Sequence, residues 1–314
     1  MRIAITGASG FVGHHLARQL SISGHELVLM GRTWRHGGTL PNATLCQASL
    51  ADINLLERAF AGCDAVAHCA GINREIGNQT YERVHIKGTA NVVKAAQAVG
   101  VSKIALISFL RARPNCGSKY HESKWAAEEI VRSSGLNYII VKASMIFGRG
   151  DHMLDHLSHS ISTFPLIATV GFRPKNIRPL AIDDLVRFLE VALTDPAISN
   201  KTIALVGPEE LQLSDAVRRV AHVLRKRVFL IPAPVWFHYV LAQVFEWTMK
   251  IPLVAKAQIR ILSEGVVEPA EPCDAVPVAY APQISFEASA IRNGLPAPGP
   301  FGLKDLRCCF AHER

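Results

Sequence analysis

Short apolar runs bounded by turn residues alternate with stretches of helical periodicity through the first half of the chain. The runs predict β-strands at 2–6, 26–30, 44–47, 64–68, 103–108 and 138–142. Between them lie amphipathic helices. One starts after Asp52, an N-cap residue, carries Ile53, Leu55, Leu56 and Phe60 at helical spacing, and stops at Gly62. Another, rich in Ala and Val, spans 89–99 and ends at Gly100. Strand and helix in strict alternation build a parallel, doubly wound α/β sheet, with ligands at the C-terminal ends of its strands.

Beyond residue 150 the pattern loosens. Helices are readable at 183–193 and 214–224 and a strand at 202–206. Prolines at 269, 272, 277, 282, 296, 298 and 300 remove backbone donors and resist helix, so 263–300 reads as an extended wrap over a smaller C-terminal region. The expected organisation is a dinucleotide-type domain over 1–150, with returning segments near 179–206, and a smaller α/β region over 151–314. Within 232–252, Trp236, Phe237, Tyr239, Val240, Leu241, Val244, Phe245, Trp247 and Met249 form a broad apolar face with few charges. Core or dimer packing is the plain reading of that face, and a membrane surface, a quinone-like substrate or a larger respiratory partner is the alternative.

Chemistry enters at the first turn. The strand 2–6 runs into Gly7-Ala8-Ser9-Gly10-Phe11-Val12-Gly13 and then into a helix-compatible segment. A helix start presents unpaired N–H groups and a partial positive charge, and glycines let the backbone approach an anion closely. A pyrophosphate fits there, which points to NAD or NADP. Glycine triplets also serve ordinary turns, but the strand–turn–helix context raises this one above a bare pattern.

Composition narrows the class. Hydrophobic residues make up 49% of the 314 residues, as in a globular chain, with no run of the roughly 18 apolar residues a membrane helix needs. The first strand starts at residue 2, and the sequence reads as a cytoplasmic protein. The net charge is +8, but the basic residues are spread along the chain, so no nucleic-acid partner is expected. Seven cysteines, at 46, 63, 69, 116, 273, 308 and 309, show no Cys-x-x-Cys spacing and read as reduced thiols. His152, His156 and His159 share a helical face beside Asp155, where substrate contact is favoured over a metal; no metal is expected.

Tyr120-His121-Glu122-Ser123-Lys124 opens a further helix, and four-residue spacing stacks Tyr120 and Lys124 one turn apart. A phenol of ordinary pKa near 10 is a poor base at neutral pH, and lowering it to about 7 takes roughly 4 kcal/mol of phenolate stabilisation. A neighbouring ammonium and a positively charged nicotinamide are suited to supply it. Elsewhere the same spacing is an ordinary solvated pair; after the fifth strand of a glycine-fingerprint domain it is a candidate acid–base pair.

Together these features resemble the short-chain dehydrogenase/reductase superfamily, in its extended and atypical branch of NAD-dependent epimerases and dehydratases. The resemblance covers about 1–235 and includes His68-Cys69-Ala70-Gly71, Val84-His85-Ile86-Lys87-Gly88-Thr89, Phe147-Gly148-Arg149-Gly150-Asp151 and Pro179-Leu180-Ala181-Ile182-Asp183-Asp184. It is nearest to the group related to the 39-kDa accessory subunit of respiratory complex I, whose members bind NADPH tightly. The resemblance implies a Rossmann sheet on which Gly7, Gly10 and Gly13 hold the pyrophosphate with the amides of Phe11 and Val12. Ala70 and Gly71 lie beside the adenosine ribose, Lys124 binds the nicotinamide ribose, and Ala143 to Ile146 flank the ring. Tyr120 becomes the acid–base of an oxidoreductase, epimerase or dehydratase acting on a small carbonyl or hydroxyl substrate. A scaffold or sensor that holds the dinucleotide beside a respiratory partner is the rival reading, and the helices 89–99 and 120–133 match a homodimer seam common in the superfamily.

Three departures stand out. Ser108 is the nearest hydroxyl to the expected catalytic serine, with Leu110 in the serine's place. Ser49 replaces the acidic residue expected at the adenine, and Lys142-Ala143 replaces Arg-Pro. The second strand ends Leu29-Met30-Gly31-Arg32, followed by Thr33 and Arg35. An acidic residue there would accept from the ribose of NAD, whereas Arg32 clamps the 2′-phosphate of NADP. A charge-assisted bond of about 1.5–3 kcal/mol makes that a roughly ten- to hundredfold preference. NADP is therefore expected, with NAD the alternative if Arg32 merely stacks on the adenine.

Overall fold

Turn residues and apolar runs place the elements close to where the pattern puts them. The structure, a computed structural model, describes residues 1–33, 40–173, 175–248 and 256–296. In chain order come β1 (Arg2–Thr6), α1 (Phe11–Ile22), β2 (Glu26–Gly31), β3 (Ala43–Gln47), α2 (Ile53–Phe60) and β4 (Ala65–His68). A π-helical turn, Glu82–Lys87, leads directly into α3 (Gly88–Ala98), followed by β5 (Lys103–Phe109), α4 (Lys119–Arg132) and β6 (Asn137–Ala143). Next are β7 (Ile146–Phe147), α5 (His152–Thr163), β8 (Leu166–Val170), β9 (Asn176–Ile177), β10 (Leu180–Ala181), α6 (Ile182–Thr194) and β11 (Lys201–Leu205). The rest are β12 (Leu211–Gln212), α7 (Leu213–Val223), β13 (Phe229–Ala233), α8 (Val235–Thr248), α9 (Lys256–Glu264) and α10 (Ala288–Gly294).

Two compact units result. The first comprises Met1–Ala143, Ile182–Leu205 and Glu268–Pro282, and the second Ser144–Ala181, Val206–Val267 and the chain from Gln283 onward. The expected break at 150 thus moves to Ala143. Part of the proline-rich segment, Glu268–Pro282, also belongs to the first unit. Edge strand β11 needs partners for its outer backbone groups, and Asp274 provides them. Its N–H donates to the Thr202 carbonyl (2.7 Å), and its carboxylate accepts from the Thr202 N–H (2.8 Å). Pro298 and Pro300 lie outside the described residues.

The first unit holds a seven-stranded parallel sheet in the order β11-β6-β5-β4-β1-β2-β3. The chain builds outward from β1 through β2 and β3, then returns to β1's other side with β4, so the strand order reverses between β1 and β4. Doubly wound sheets bind ligands at such a reversal. Thr6 stands opposite both Met30 and His68, which brings the C-terminal ends of β1, β2 and β4 level. Alternate residues divide the core: Ala4, Val28, Val66, Ile104, Leu106 and Ile140 face the layer that includes Leu56 of α2, Val92 of α3 and Ala127 of α4. On the other side of the sheet α1 packs against α6.

In the second unit β8 pairs in parallel with β13, and β9 pairs antiparallel with β12. The aromatic stretch forms α8 as its periodicity predicts, but the expectation of core packing is corrected. Trp236 is 67% and Trp247 70% exposed, and the side of α8 that packs inward carries the small Ala242 and the buried His238. Met249 and Pro252 lie outside the described residues. No helix among the described residues is long and apolar enough to cross a membrane.

Candidate functional site

The turn after β1 is dictated by two close approaches. Gly7 has φ +69°, and a Cβ there would lie 2.7 Å from the Ala70 backbone. A Cβ on Gly13 would sit 2.3 Å from the Gly7 carbonyl oxygen. The first glycine lets the β1 loop run against the loop after β4; the third lets α1 seat on that loop. Gly13 therefore has a packing role in this turn besides its expected place at the pyrophosphate. Helices α2, α4 and α5 are each capped by a side chain, from Asp52, Ser118 and Asp151, whereas Gly10 caps α1 with none. The first intrahelical bond runs from His14 N–H to the Gly10 carbonyl (2.9 Å), so the N–H groups of Phe11, Val12 and Gly13 have no intrahelical acceptor.

In front of this turn lies a cleft of about 390 Å³ whose walls include Gly7, Gly10, Arg32, Ser49, Gly71 and Arg83. Ala70 also lines it, and among the described residues no Asp or Glu does. Arg32 is exposed at the end of β2; Arg35 lies outside the described residues. Ser49, in the position expected of an acidic residue, accepts the Ala51 N–H (3.3 Å).

At the start of α4 the Tyr120 ring stands among Tyr81, His85, Phe109 and His121, with ring centroids 5.6–5.9 Å away. One turn on, Lys124 Nζ donates to the Ile107 carbonyl (3.2 Å). It also reaches the cleft wall, since a Cβ on Gly71 would lie 3.2 Å from it and 3.5 Å from His85 Nε2. Burial pulls the Lys124 ammonium down to about 8. Burial, with Tyr81 as a smaller influence, pushes the Tyr120 phenol above its usual value. The expected lowering of the phenol by Lys124 is therefore corrected: the ammonium is directed at the Ile107 carbonyl, and desolvation of the ring prevails.

Two neutral histidines hold the floor. His85 Nε2 accepts the Ile72 N–H (3.1 Å), which leaves its Nδ1–H to donate to Ser123 Oγ (2.9 Å); Ser123 Oγ in turn donates to the Tyr120 carbonyl (2.9 Å). Burial, then the charge of Lys124, lowers His85 to about 2. Thr89 donates its hydroxyl to the His85 carbonyl, so it accepts from His68 Nε2 (3.0 Å), whose Nδ1 accepts from Thr6 (2.6 Å). Burial and Lys124 lower His68 to about 3. Tyr81, Arg83 and His85 were not singled out as site residues in the sequence. Tyr81 immediately precedes the π-helical turn that carries the other two, and its Tyr81-x-x-x-His85 spacing was the available signal.

Ser108 is elsewhere. It shares the strand face of Ile104 and Leu106, and its buried hydroxyl donates to Glu128, a carboxylate about 12 Å along α4 from Tyr120. Its expected catalytic role is corrected accordingly: strand alternation turns Ser108 beneath α4 and gives Phe109 the contact with Tyr120. Leu110 is fully buried, and its N–H donates to the Ala143 carbonyl (2.9 Å). Ala143 closes β6 in the first unit, whereas Ile146 pairs with Leu180 in the second. His152, His156 and His159 lie on α5, also in the second unit, where His159 pairs with Asp155 (3.4 Å).

The chain is similar to several known proteins. Residues 7–152 match a family model described as NAD(P)H-binding. A Mycobacterium tuberculosis protein of uncharacterised function is 31% identical over 235 residues, 75% of this chain, which spans only about a quarter (24%) of that protein's length. The mouse mitochondrial NADH dehydrogenase [ubiquinone] 1 alpha subcomplex subunit 9 is 25% identical over 78% of this chain and 69% of its own length. A ceramide reductase of Caulobacter vibrioides is 27% identical over 74% of this chain and 73% of its own. In fold, a nucleoside-diphosphate-sugar epimerase of Staphylococcus aureus superposes with a TM-score of 0.71 over 95% of this chain and 98% of that one, at 15% identity. The UDP-glucose 4-epimerase of Thermus thermophilus in complex with NAD gives 0.63 over 74% and 86%, at 18% identity.

Proposed function

We propose that this chain, whose residues 7–152 match an NAD(P)H-binding family model and whose fold is shared with an NAD-complexed epimerase, is an NADPH-dependent carbonyl reductase of the extended short-chain dehydrogenase type. The observation that carries the reading is the pairing of a carboxylate-free cleft, with Arg32 and Arg83 in its walls, and a Tyr120–Lys124 turn beside it. The residues fit the dinucleotide. The amides of Phe11 and Val12 are left over for a pyrophosphate, and Gly7 and Gly71 permit close backbone approach. Arg32 suits the 2′-phosphate better than a carboxylate-bound ribose, which favours NADP over NAD.

Bound there, the cofactor supplies a hydride. Tyr120, kept neutral by burial, gives its phenolic proton to the carbonyl oxygen as the alcohol forms. Lys124 offers its ammonium to the nicotinamide ribose, and solvent returns the proton to Tyr120. His85, through Ser123, fixes the first turn of α4 and hence the ring. Burial keeps the phenol in its protonated form at neutral pH, the form that has a proton to give to a carbonyl oxygen during reduction. Transfer of deuterium from 4-deuterated NADPH to an alcohol product across a panel of carbonyl compounds tests this. Tyr120→Phe should lower kcat by about 10²- to 10⁴-fold with little change in NADPH affinity; a variant with full turnover contradicts the mechanism.

One observation favours a second reading. With the Ser108 hydroxyl committed to Glu128, the chain holds the dinucleotide without turning it over, as a component of a respiratory-type assembly like the one the mouse relative's name describes. NADPH that co-purifies and stays unoxidised across the panel would support it.

A further inference from the structure

Helix α8 wears its amphipathicity inside out. At 100° per residue Trp236, Phe237, Val240, Val244, Trp247 and Thr248 fall within an arc of about 120°, and all are exposed, Trp236 and Trp247 by 67% and 70%. That face bears no charged side chain. The inward face is made by His238 and Ala242, packed near Val170 and Ile259. Surface helices ordinarily turn polar residues outward, and contiguous apolar patches of this kind mark contact surfaces.

The patch continues beyond the helix. The β8–β13 ribbon exposes Leu166, Phe229 and Ile231, by 54%, 66% and 48%, and Phe172, just past the ribbon, is 70% exposed. The Gly171 N–H donates to the Ala233 carbonyl (2.8 Å), which holds the Phe172 loop beside the start of α8.

Charge identifies the occupant. Arg225, Lys226 and Arg227 are exposed immediately ahead of Phe229, and Arg173 and Lys175 are exposed beside Phe172. Across 164–175 and 225–248 those five cations meet one carboxylate, Glu246, which accepts the Lys256 N–H (3.1 Å). A second copy docking through the same patch would bring like charges together across an isologous interface. Tryptophans and phenylalanines flanked by arginine and lysine are instead the composition that settles at a bilayer interface and is drawn to anionic headgroups. A 14-residue helix, about 21 Å long, is too short to span a hydrocarbon core of about 30 Å but long enough to lie on it.

We propose that this face of the second unit docks on the surface of an anionic bilayer, with α8 lying in the boundary between headgroups and acyl chains. The proposal stands independently of the reaction assigned above. Co-sedimentation of the full chain with phosphatidylcholine vesicles, with and without phosphatidylglycerol, tests it. Binding is expected on the anionic vesicles, accompanied by a blue shift in tryptophan emission, and should weaken in high salt. The double variant Trp236→Glu, Trp247→Glu should release the protein, and Arg225→Glu, Lys226→Glu, Arg227→Glu should weaken binding by about tenfold or more. Ile22→Glu, which alters an exposed apolar side chain of the first unit, should leave binding intact, and circular dichroism should show every variant folded. Absence of binding to anionic vesicles at millimolar lipid, or equal binding by the tryptophan double variant, overturns the proposal. So does a dimer in sedimentation velocity that the double variant splits while the vesicles remain bare.

Discussion

Two lysines reach the neighbourhood of α4 and end in opposite circumstances. Lys142, on β6, donates to Glu128 (3.1 Å) and to the Ala112 carbonyl (3.0 Å), with side chains 1% and 0% exposed across the ion pair. Arg132 (2.9 Å) and Ser108 complete the shell around that carboxylate. Lys124, on α4 itself, has the Ile107 carbonyl and, among the described residues, no carboxylate within ion-pair distance. Burial pulls its titration down to about 8, against smaller upward influences of Glu128 and Cys69. A buried charge whose partners are all in place belongs to the fold, whereas a desolvated cation beside an open cleft has donors left for a ligand.

The largest break in this comparison should come from Glu128→Gln. It strands the Lys142 ammonium in the core and should cost about 3–5 kcal/mol, read as a lower midpoint in chemical denaturation. If stability fell by less than half of that, the Lys142 network would not be a folding element. Lys124→Met should do the reverse. The fold should change by less than about 1 kcal/mol, since a desolvated ammonium is replaced by an apolar chain of similar length. NADPH should bind about 10- to 100-fold more weakly, because a charge-assisted bond is lost. In the wild type, affinity should decline as pH rises through about 8 while Lys124 gives up its proton, and the Lys124→Met profile should be flat there.

A sharper and smaller distinction concerns the cleft's far end. Arg32→Glu should weaken NADPH by about tenfold to a hundredfold and leave NADH nearly unchanged; equal losses would remove Arg32 from the 2′-phosphate. The smallest effect is in acid. The folded value of His85 is about 2, below the roughly 6.5 of an unfolded histidine, so below pH 6.5 the unfolded chain gains a proton the folded chain refuses. Stability should therefore fall on acidification by about 1.4 kcal/mol per pH unit for each such histidine. His85→Gln should reduce that slope, and an unchanged slope would mean His85 titrates normally.

Much of the first unit was legible because many of its constraints are local. Gly13 is demanded by the Gly7 carbonyl in the same turn and Asp52 caps its helix within three residues, whereas Gly7, pressed on the distant Ala70 backbone, was legible through its place in the glycine turn. The Tyr120–Lys124 pair is likewise one helical turn. Ser108 was misplaced because sequence gives a strand's alternation but not its phase relative to a helix that packs on it; Lys142 and Glu128 fixed that phase. The π-helical turn carries no compositional mark, yet it sets Arg83 and His85 beside the cleft. Helix α8 was legible as a helix and illegible as a surface. Periodicity shows which residues share a face, and only the tertiary neighbours show which face is covered.

The claim on which the account rests is that the cleft at the ends of β1, β2 and β4 grips a pyridine dinucleotide. Isothermal titration calorimetry of the full chain with NADPH and with NADH tests it most directly. The account predicts one-to-one saturation by NADPH, with NADH about tenfold or more weaker; no saturable heat from either would contradict it.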